Sequence, residues 1–236
     1  MPRFWELDAL RGTAIVMMAV FHFAWDMNYF GAIHADLYAG PWGLFQKATA
    51  GLFLLVAGVL LAVNSQNHAK EYPRRFLERG AMVFLVGLGI TAATFPLFPE
   101  NFIYFGILHL IGVSIILAIP LARKKWLNLL LSAIVIALPM ATNLQNLRLD
   151  YLVWAGFAYP KATFDFAPVF PWFGLVLIGL FFGNLLYEKG ERIFSLEEPR
   201  NRASYFLQIL GRNSLVLYLA HQGILFPLAW LVSIAH

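Results

Sequence analysis

Two ionisable residues, His22 and Asp26, lie in a long apolar stretch near the start of the chain, in the run MAVFHFAWDMNYFG (18–31). A charged residue at the centre of a membrane-spanning helix costs about 3 kcal/mol on insertion scales. At the spacing i and i+4, the two side chains share one face of a helix. A carboxylate beside an imidazole can hold one ring tautomer ready as a general base. The pair is therefore a candidate for proton transfer.

Further polar side chains share this face of the predicted first helix. At 100° per residue they fall within about 60° of one another: Asp8, Arg11, His22 and Asp26, with Tyr29 continuing the row. Such a row normally faces the interior of a helix bundle or a water-filled cavity. Alternatively, Asp8 caps the helix and Arg11 reaches lipid phosphates, so that both residues are only structural.

Two other apolar segments also contain histidines, His109 in YFGILHLIGVS and His221 in GRNSLVLYLAHQG. In the second segment Ser214, Tyr218 and His221 are spaced i, i+4 and i+7 and share a face. A single histidine in a membrane is often only an interhelical hydrogen-bond partner. Three at comparable depth on three helices instead indicate a functional cavity, with these candidate lining residues: Tyr29, His109, Ser214, Tyr218 and His221.

The amino-acid composition indicates the kind of protein in which these residues lie. The chain has 236 residues, of which 60% are hydrophobic and 13% are charged, whereas soluble domains have about 25% charged residues. We therefore predict an all-α integral membrane protein with a single domain over 1–236. The sequence has no cysteine, which excludes disulfides and thiolate metal sites, and we expect no metal. The net charge of +4 needs no nucleic-acid partner, because basic loops orient membrane proteins.

The apolar segments are long enough to cross a membrane several times. A hydrocarbon core about 30 Å thick needs about 20 helical residues. By this measure the sequence predicts seven membrane-spanning helices: 9–30, 43–63, 78–96, 103–121, 126–142, 169–187 and 211–233. The prediction is thus a polytopic helix bundle in a cell membrane.

Basic residues predict the orientation of this bundle. All but three of the 17 Lys and Arg residues fall on one predicted side, in these segments: 1–11, 64–79, 123–125 and 188–212. The positive-inside rule places that side and the N-terminus in the cytoplasm, and the C-terminus outside. The outer loops 31–42 and 143–168 are rich in Trp, Tyr and Asn. Such residues are typical of an interfacial aromatic belt, and also of a lid that stacks on a sugar.

The opening segment LDALRGTAIVMMAVFHFAWDMNYFG (7–31) resembles the first helix of small prokaryotic members of the heparan-α-glucosaminide N-acetyltransferase catalytic-domain family. This family is part of the wider transmembrane acyltransferase superfamily. The match rests on the D-x-x-R-G start and on the run H-F-x-x-D-x-N-Y-F-G from His22 to Gly31. Later segments are similar to later family blocks: GLFLLVAGVLL (51–61), FPWFGLVLIGLFFGNLL (170–186), which contains the candidate cavity residue Trp172, and LGRNSLVLYLAHQ (210–222).

The resemblance implies transfer of an acetyl group from cytosolic acetyl-CoA to the amine of a glucosamine unit across the membrane. It implies that His22 or His34 is the base for the acceptor amine, with Asp26 orienting His22. It also implies donor-binding residues for CoA, namely Asp8, Arg11 and Arg79. For a protein of this size we expect the acceptor to be a cell-envelope glycan, a lipid-linked amino sugar or a small metabolite. Membrane lipid surrounds the chain, and an oligomer is compatible with the sequence.

Two other functions remain compatible with these residues. A polar row along one helix is also typical of a proton or solute path in a transporter. Seven predicted spans without a detectable repeat disfavour that function, because transporter folds often contain inverted repeats. Histidines on facing helices can also ligate a haem iron, which would give the purified protein a Soret band.

Overall fold

The computed structural model describes residues 4–158 and 160–235, and its regular structure is almost entirely helical. The eight α-helices are, in order, α1 (Trp5–Tyr29), α2 (Gly40–Asn67), α3 (Tyr72–Leu97), α4 (Ile107–Leu117), α5 (Lys125–Thr142), α6 (Val169–Leu186), α7 (Arg202–Arg212) and α8 (Ser214–Ser233). Within the described residues, six of them are long and apolar enough to cross a membrane, namely all except α4 and α7. The predicted all-α class is confirmed, and the long apolar helices are consistent with the predicted polytopic membrane bundle.

The remaining regular elements are short. Two 3-10 helices, Leu144–Leu147 and Asp150–Ala155, lie between α5 and α6. After α6, strands β1 (Tyr187–Glu188) and β2 (Glu191–Arg192) form an antiparallel hairpin.

The predicted fourth span, 103–121, is much shorter as a helix than expected. Its helix, α4, has 11 residues, or about 16 Å at 1.5 Å per residue, which is about half of a hydrocarbon core. Pro120 follows closely after the end of α4. Proline has no N–H to donate and restricts the residue before it, so it prevents the helix from continuing.

The segment that contains α4 nevertheless follows α3 along its length. Near one end of α3, the N–H of Ile103 donates to Thr94 Oγ1 at 3.2 Å. Near the other end, the Arg123 guanidinium lies over the Tyr72 ring, 5.2 Å from its centroid. The chain from 103 to 123 therefore runs antiparallel to α3, although only its middle is helical.

The predicted basic loop 188–212 also differs from expectation, because much of it has regular structure. It contains most of the β1–β2 hairpin and the whole of α7. The Asn201 side chain caps α7 by accepting the N–H of Ser204 at 2.8 Å, and asparagine is a favoured N-cap residue. With 11 residues, α7 is too short to cross a membrane.

The described chain divides into two compact units. The central unit contains residues 54–195, and the terminal unit contains residues 4–53 with 196–235. Helix α2 is continuous through the boundary at residue 54. The prediction of a single domain over the whole chain stays a prediction.

Polar contacts hold together several segments that connect helices at one end of the central unit. Asn184 Nδ2 donates to the carbonyl oxygen of Ala122 at 2.8 Å, and Arg123 donates to that of Ser65. The N–H of Gly190 donates to Gln66 Oε1 at 3.1 Å. Parts of three basic segments predicted to share one side of the membrane therefore lie together. Which side they occupy stays a prediction.

The predicted outer loop 143–168 is tied to the connection between α3 and α4. The N–H of Phe164 donates to the carbonyl oxygen of Asn101 at 3.0 Å, and the N–H of Ala167 donates to that of Phe105 at 3.1 Å. Asp165 lies between these contacts, and its Oδ2 accepts the N–H of Ile107, the first residue of α4, at 2.8 Å. A carboxylate at this position satisfies a free helix N–H and complements the helix dipole.

The terminal unit contains a close crossing of α1 and α7. A Cβ added to Gly12 would lie 1.9 Å from the carbonyl oxygen of Leu207, and one added to Gly211 would lie 1.8 Å from that of Asp8. Only glycine allows two helix backbones to approach so closely, as at many helix contacts in membranes. The crossing fixes the start of α1 against α7.

We predict that the G12A variant is less stable than the wild type by about 3 kcal/mol, because the added methyl group pushes α1 away from α7. G223A is the matched control in the same unit, since a Cβ at Gly223 has nothing within 4 Å. That variant should be as stable as the wild type or up to about 1 kcal/mol more stable, because alanine favours helix. Thermal unfolding of the three proteins in lipid nanodiscs measures both effects, and equal melting temperatures for G12A and wild type would contradict the prediction.

We also predict a pH dependence of stability that comes from Asp165. Burial raises the pKa of its carboxyl to about 6, and the hydrogen bond from Ile107 opposes the rise. The folded state therefore binds a proton more readily than the unfolded state between about pH 4 and pH 6. The contribution of this group to stability falls as the pH rises through that range, by up to about 3 kcal/mol, and is constant above it.

The variant D165N tests this pH dependence, because asparagine keeps an acceptor for the Ile107 N–H but carries no charge. The stability of D165N relative to the wild type should increase as the pH rises from 4 to 7. Unfolding curves at several pH values give this difference. Parallel pH profiles for the two proteins would show that Asp165 has no such role.

Candidate functional site

The pair predicted on the first helix lies in the terminal unit, in contact with α8. The rings of His22 and His221 are 4.7 Å apart between centroids and are tilted by 57°. The Nε2 atom of Gln222 lies 3.2 Å from His22 Nδ1 and 3.5 Å from Asp26 Oδ1. We call these four residues the histidine cluster. Asp26 is thus connected to His22 through an amide, whereas the sequence suggested a direct pair.

Several polar atoms of the histidine cluster are buried without a partner. Asp26 is fully buried, with 0% of its surface exposed. Three buried atoms, Asp26 Oδ2, His221 Nε2 and Gln222 Oε1, have no hydrogen-bond partner within the described parts of the chain. Buried polar atoms are nearly always paired in proteins. Three unpaired polar atoms close together are what a binding site for a polar group requires.

Tyr218 and Tyr29, both predicted to line a cavity, lie on the two helices that carry the histidine cluster. The Nδ1 atom of His221 is hydrogen-bonded to the carbonyl oxygen of Tyr218, one turn earlier on α8. Tyr29, the last residue of α1, stacks on Trp25 with centroids 5.4 Å apart and contacts Phe226 at 5.8 Å. The end of α1 therefore carries an aromatic group of the kind that can contact a sugar or a membrane interface.

His34 lies in the irregular connection between α1 and α2, and its side chain is exposed. This connection is held to α1 through Asn28, whose Oδ1 accepts the N–H of Ala35 at 2.9 Å. Among the described residues, no hydrogen bond or ring contact joins His34 to the histidine cluster. The role of His34 as a base stays a prediction.

A second polar group surrounds Asp8 at the start of α1, where the side chain of Arg11 donates to Oδ1. Arg212 Nε donates to Oδ2 at 3.3 Å, across a separation of 204 residues in the chain. The Arg212 guanidinium also donates to Gln208 Oε1 at 3.0 Å. We call Asp8, Arg11 and Arg212 the arginine pair site. One carboxylate faces two guanidinium groups, so the site keeps a net positive charge.

The arginine pair site retains hydrogen-bonding capacity as well as charge. Arg11 Nε is buried and has no hydrogen-bond partner within the described residues. The side chain of Arg212 is 37% exposed and that of Arg11 is 24% exposed. Guanidinium groups with free donors are well suited to bind phosphate. The site can therefore bind an anion at the start of α1.

Three of the predicted site residues belong to the central unit. His109 is 1% exposed, and both of its ring nitrogens are paired: Nδ1 accepts the N–H of Gly106 at 3.2 Å, and Nε2 lies 3.3 Å from Thr91 Oγ1. Trp172 is half-buried on α6, and Arg79 is exposed on α3. Their functional roles stay predictions.

Ser214, the remaining predicted cavity residue, is the first residue of α8 and lies seven positions before His221. Two residues that the sequence reasoning did not single out, Arg212 and Gln222, contact the predicted site residues directly. Both lie in the segment LGRNSLVLYLAHQ that was compared with the family, at its start and end. No cluster of three His, Asp or Glu side chains that could hold a metal ion occurs in residues 4–158 and 160–235.

Comparison with known proteins identifies one family. A family model described as heparan-alpha-glucosaminide N-acetyltransferase, catalytic, matches residues 3–223 of the chain. The matched range includes both the arginine pair site and the histidine cluster. No curated protein and no solved structure matches the chain.

We predict that the variant D8A is less stable than the wild type by about 2 kcal/mol, because it leaves two partly buried guanidinium groups without their carboxylate. The matched control is E78A, which removes the carboxylate of an ion pair whose side chains are 86% and 60% exposed. Exposed pairs contribute little to stability, so E78A should unfold like the wild type. If both variants unfold at the wild-type temperature in nanodiscs, the arginine pair site does not stabilise the fold.

Proposed function

The chain belongs to the heparan-alpha-glucosaminide N-acetyltransferase catalytic family, and from this membership we propose that it transfers an acetyl group from acetyl-CoA to an amine acceptor at the histidine cluster. The match of the family model over residues 3–223 confirms the resemblance to this family. The family indicates a membrane acetyltransferase that uses acetyl-CoA, and six long apolar helices agree with a location in a membrane. The acceptor that we propose is an amino sugar, free or part of a glycan or lipid.

The observation that supports this proposal most is the position of two polar sites on one helix. Arg11 and His22 are separated by about 16 Å along α1, at 1.5 Å per residue. A donor held by its phosphates at the arginine pair site needs a long arm to place its reactive group at the histidine cluster. Coenzyme A has phosphates at one end and a thioester at the end of its extended pantetheine arm, and so fits this separation.

The reaction that we propose is direct transfer. A histidine of the cluster accepts a proton from the acceptor amine while the amine nitrogen attacks the carbonyl carbon of the thioester. The new carbon–nitrogen bond forms, the carbon–sulfur bond breaks, and the CoA thiolate leaves and is protonated. The products are the N-acetylated acceptor and free CoA, so atoms and charge balance. A positioned general base of this kind typically contributes a factor of about 10² to 10⁴ in rate.

The proposed sidedness follows from the basic segments. The arginine pair site lies at the start of α1, which the positive-inside rule places at the cytoplasmic end of the helix. Cytosolic acetyl-CoA would then bind from the inside, and the acceptor would approach from the outer end, where Tyr29 and the connection that carries His34 lie. The protein would thus be a multi-pass protein of the cell membrane.

The first test is binding of acetyl-CoA to the purified protein in lipid nanodiscs. We predict saturable binding in the micromolar range, about −8 kcal/mol, and a loss of about tenfold in the R11A variant. Arg74 is the control, since its side chain is exposed and pairs with Glu78 in the central unit, and R74A should bind like the wild type. An absence of binding to folded protein, or equal losses in both variants, would contradict the proposed donor site.

The second test measures transfer, with glucosamine as the acceptor and with free CoA thiol and N-acetylglucosamine as the two readouts. We predict that H22A loses about 100-fold or more of the rate. H68Q is the control, because the Nε2 of His68 is also buried and unpaired, but in the central unit. Wild-type rates in H22A would contradict the proposal. Proton or solute movement in sealed proteoliposomes without CoA would instead support the transporter hypothesis.

A further inference from the structure

The hydrogen bonds of the histidine cluster determine which ring nitrogen of His221 carries its proton. The partner of His221 Nδ1 is the carbonyl oxygen of Tyr218. A carbonyl oxygen only accepts hydrogen bonds, so Nδ1 must be the protonated nitrogen. In the neutral ring, Nε2 then carries the free lone pair. This Nε2 is buried and has no hydrogen-bond partner within the described chain.

The ring of His22 has the opposite arrangement. The nitrogen of the Gln222 amide faces both His22 Nδ1 and Asp26 Oδ1. An amide nitrogen only donates, so Nδ1 of His22 must be the accepting nitrogen and its proton lies on Nε2. A rotated amide would point its oxygen at the Asp26 carboxylate, which also only accepts when it is ionised. An ionised Asp26 thus selects the amide orientation whose nitrogen faces both groups, and that orientation places the proton of His22 on Nε2.

We propose that His221, and not His22, is the general base of the transfer reaction, and that His22 is a hydrogen-bond donor in the same step. This inference rests on the proposed function and specifies the roles at its site. The family resemblance suggested His22 or His34 as the base. The contacts instead leave a lone pair on His221 Nε2 and a proton on His22 Nε2, in two rings that lie 4.7 Å apart between centroids.

The two tautomers divide the reaction between the rings. The Nε2 lone pair of His221 accepts the proton that leaves the acceptor amine as the nitrogen attacks the thioester carbonyl carbon. The N–H of His22 Nε2 donates to the carbonyl oxygen, where negative charge develops, as donors of an oxyanion hole do. When the carbon–sulfur bond breaks, the proton on His221 passes to the CoA sulfur, and the ring returns to its starting tautomer.

Gln222 and Asp26 are positioning residues in this scheme. Their contacts hold the donor tautomer of His22, and neither is required to touch a substrate. A change at Gln222 should therefore alter the tautomer of His22 without altering that of His221, whose Nδ1 is held by the backbone of its own helix.

Nitrogen NMR of ¹⁵N-histidine-labelled protein in nanodiscs tests the tautomers without any substrate, since the two neutral tautomers have distinct spectra. The chain has six histidines, and the variants H22Q and H221Q assign the two signals. We expect the Nδ1–H form for His221 and the Nε2–H form for His22, and we expect Q222M to change only the signal of His22. An Nε2–H form for His221 would overturn the proposal.

Transfer from acetyl-CoA to glucosamine tests the roles in the same samples. We expect H221Q to lower the turnover rate about 100-fold or more with unchanged binding of acetyl-CoA, and H68Q to leave both unchanged. Turnover in H221Q close to that of the wild type would overturn the role of His221 as base. If the spectra show the expected tautomers but no protein transfers acetyl groups, the proposed function fails and the assigned tautomers stand.

Discussion

The burial of the Asp26 carboxyl on an apolar helix is the constraint on which the terminal unit depends. A carboxylate removed from water requires hydrogen-bond donors. The Gln222 amide on α8 supplies one, with its nitrogen 3.5 Å from Asp26 Oδ1, and so joins α8 to α1. His221 directly precedes Gln222 in the chain, and its ring lies beside that of His22, 4.7 Å away between centroids. The contacts of Gln222 with Asp26 and His22 thus join the two helices at the histidine cluster.

The start of α1 is held by different interactions, namely close backbone packing and ion pairs. Two glycines let the backbones of α1 and α7 touch, and Asp8 draws Arg11 and Arg212 together over the crossing. Packing and charge therefore fix the same junction. The helix between the two ends sets the separation of the arginine pair site and the histidine cluster. A substrate that uses both sites must match that separation.

Two histidines that both lie in apolar helices, His109 and His221, differ in their hydrogen-bond partners. His109 is buried in the central unit with both ring nitrogens paired, which suits a residue that joins α3 to the start of α4. His221 has one nitrogen held by a backbone carbonyl oxygen and the other unpaired. The first ring has no lone pair to offer a substrate, whereas the second has one. In the sequence, the two histidines looked equivalent.

The sequence by itself determined the properties that depend on composition and on local periodicity. Low charge and long apolar segments predicted the all-α membrane protein, the period of the helix placed Asp8, Arg11, His22 and Asp26 on one face, and local motifs identified the family. Contacts between distant residues were decided only by the tertiary structure: Asp165 meets the start of α4 across 58 residues, Arg212 meets Asp8 across 204 and Gln222 meets His22 across 200. Helical periodicity gives the direction of a side chain around its own axis. It does not say which helix lies opposite, and the chemistry of this site depends on that choice.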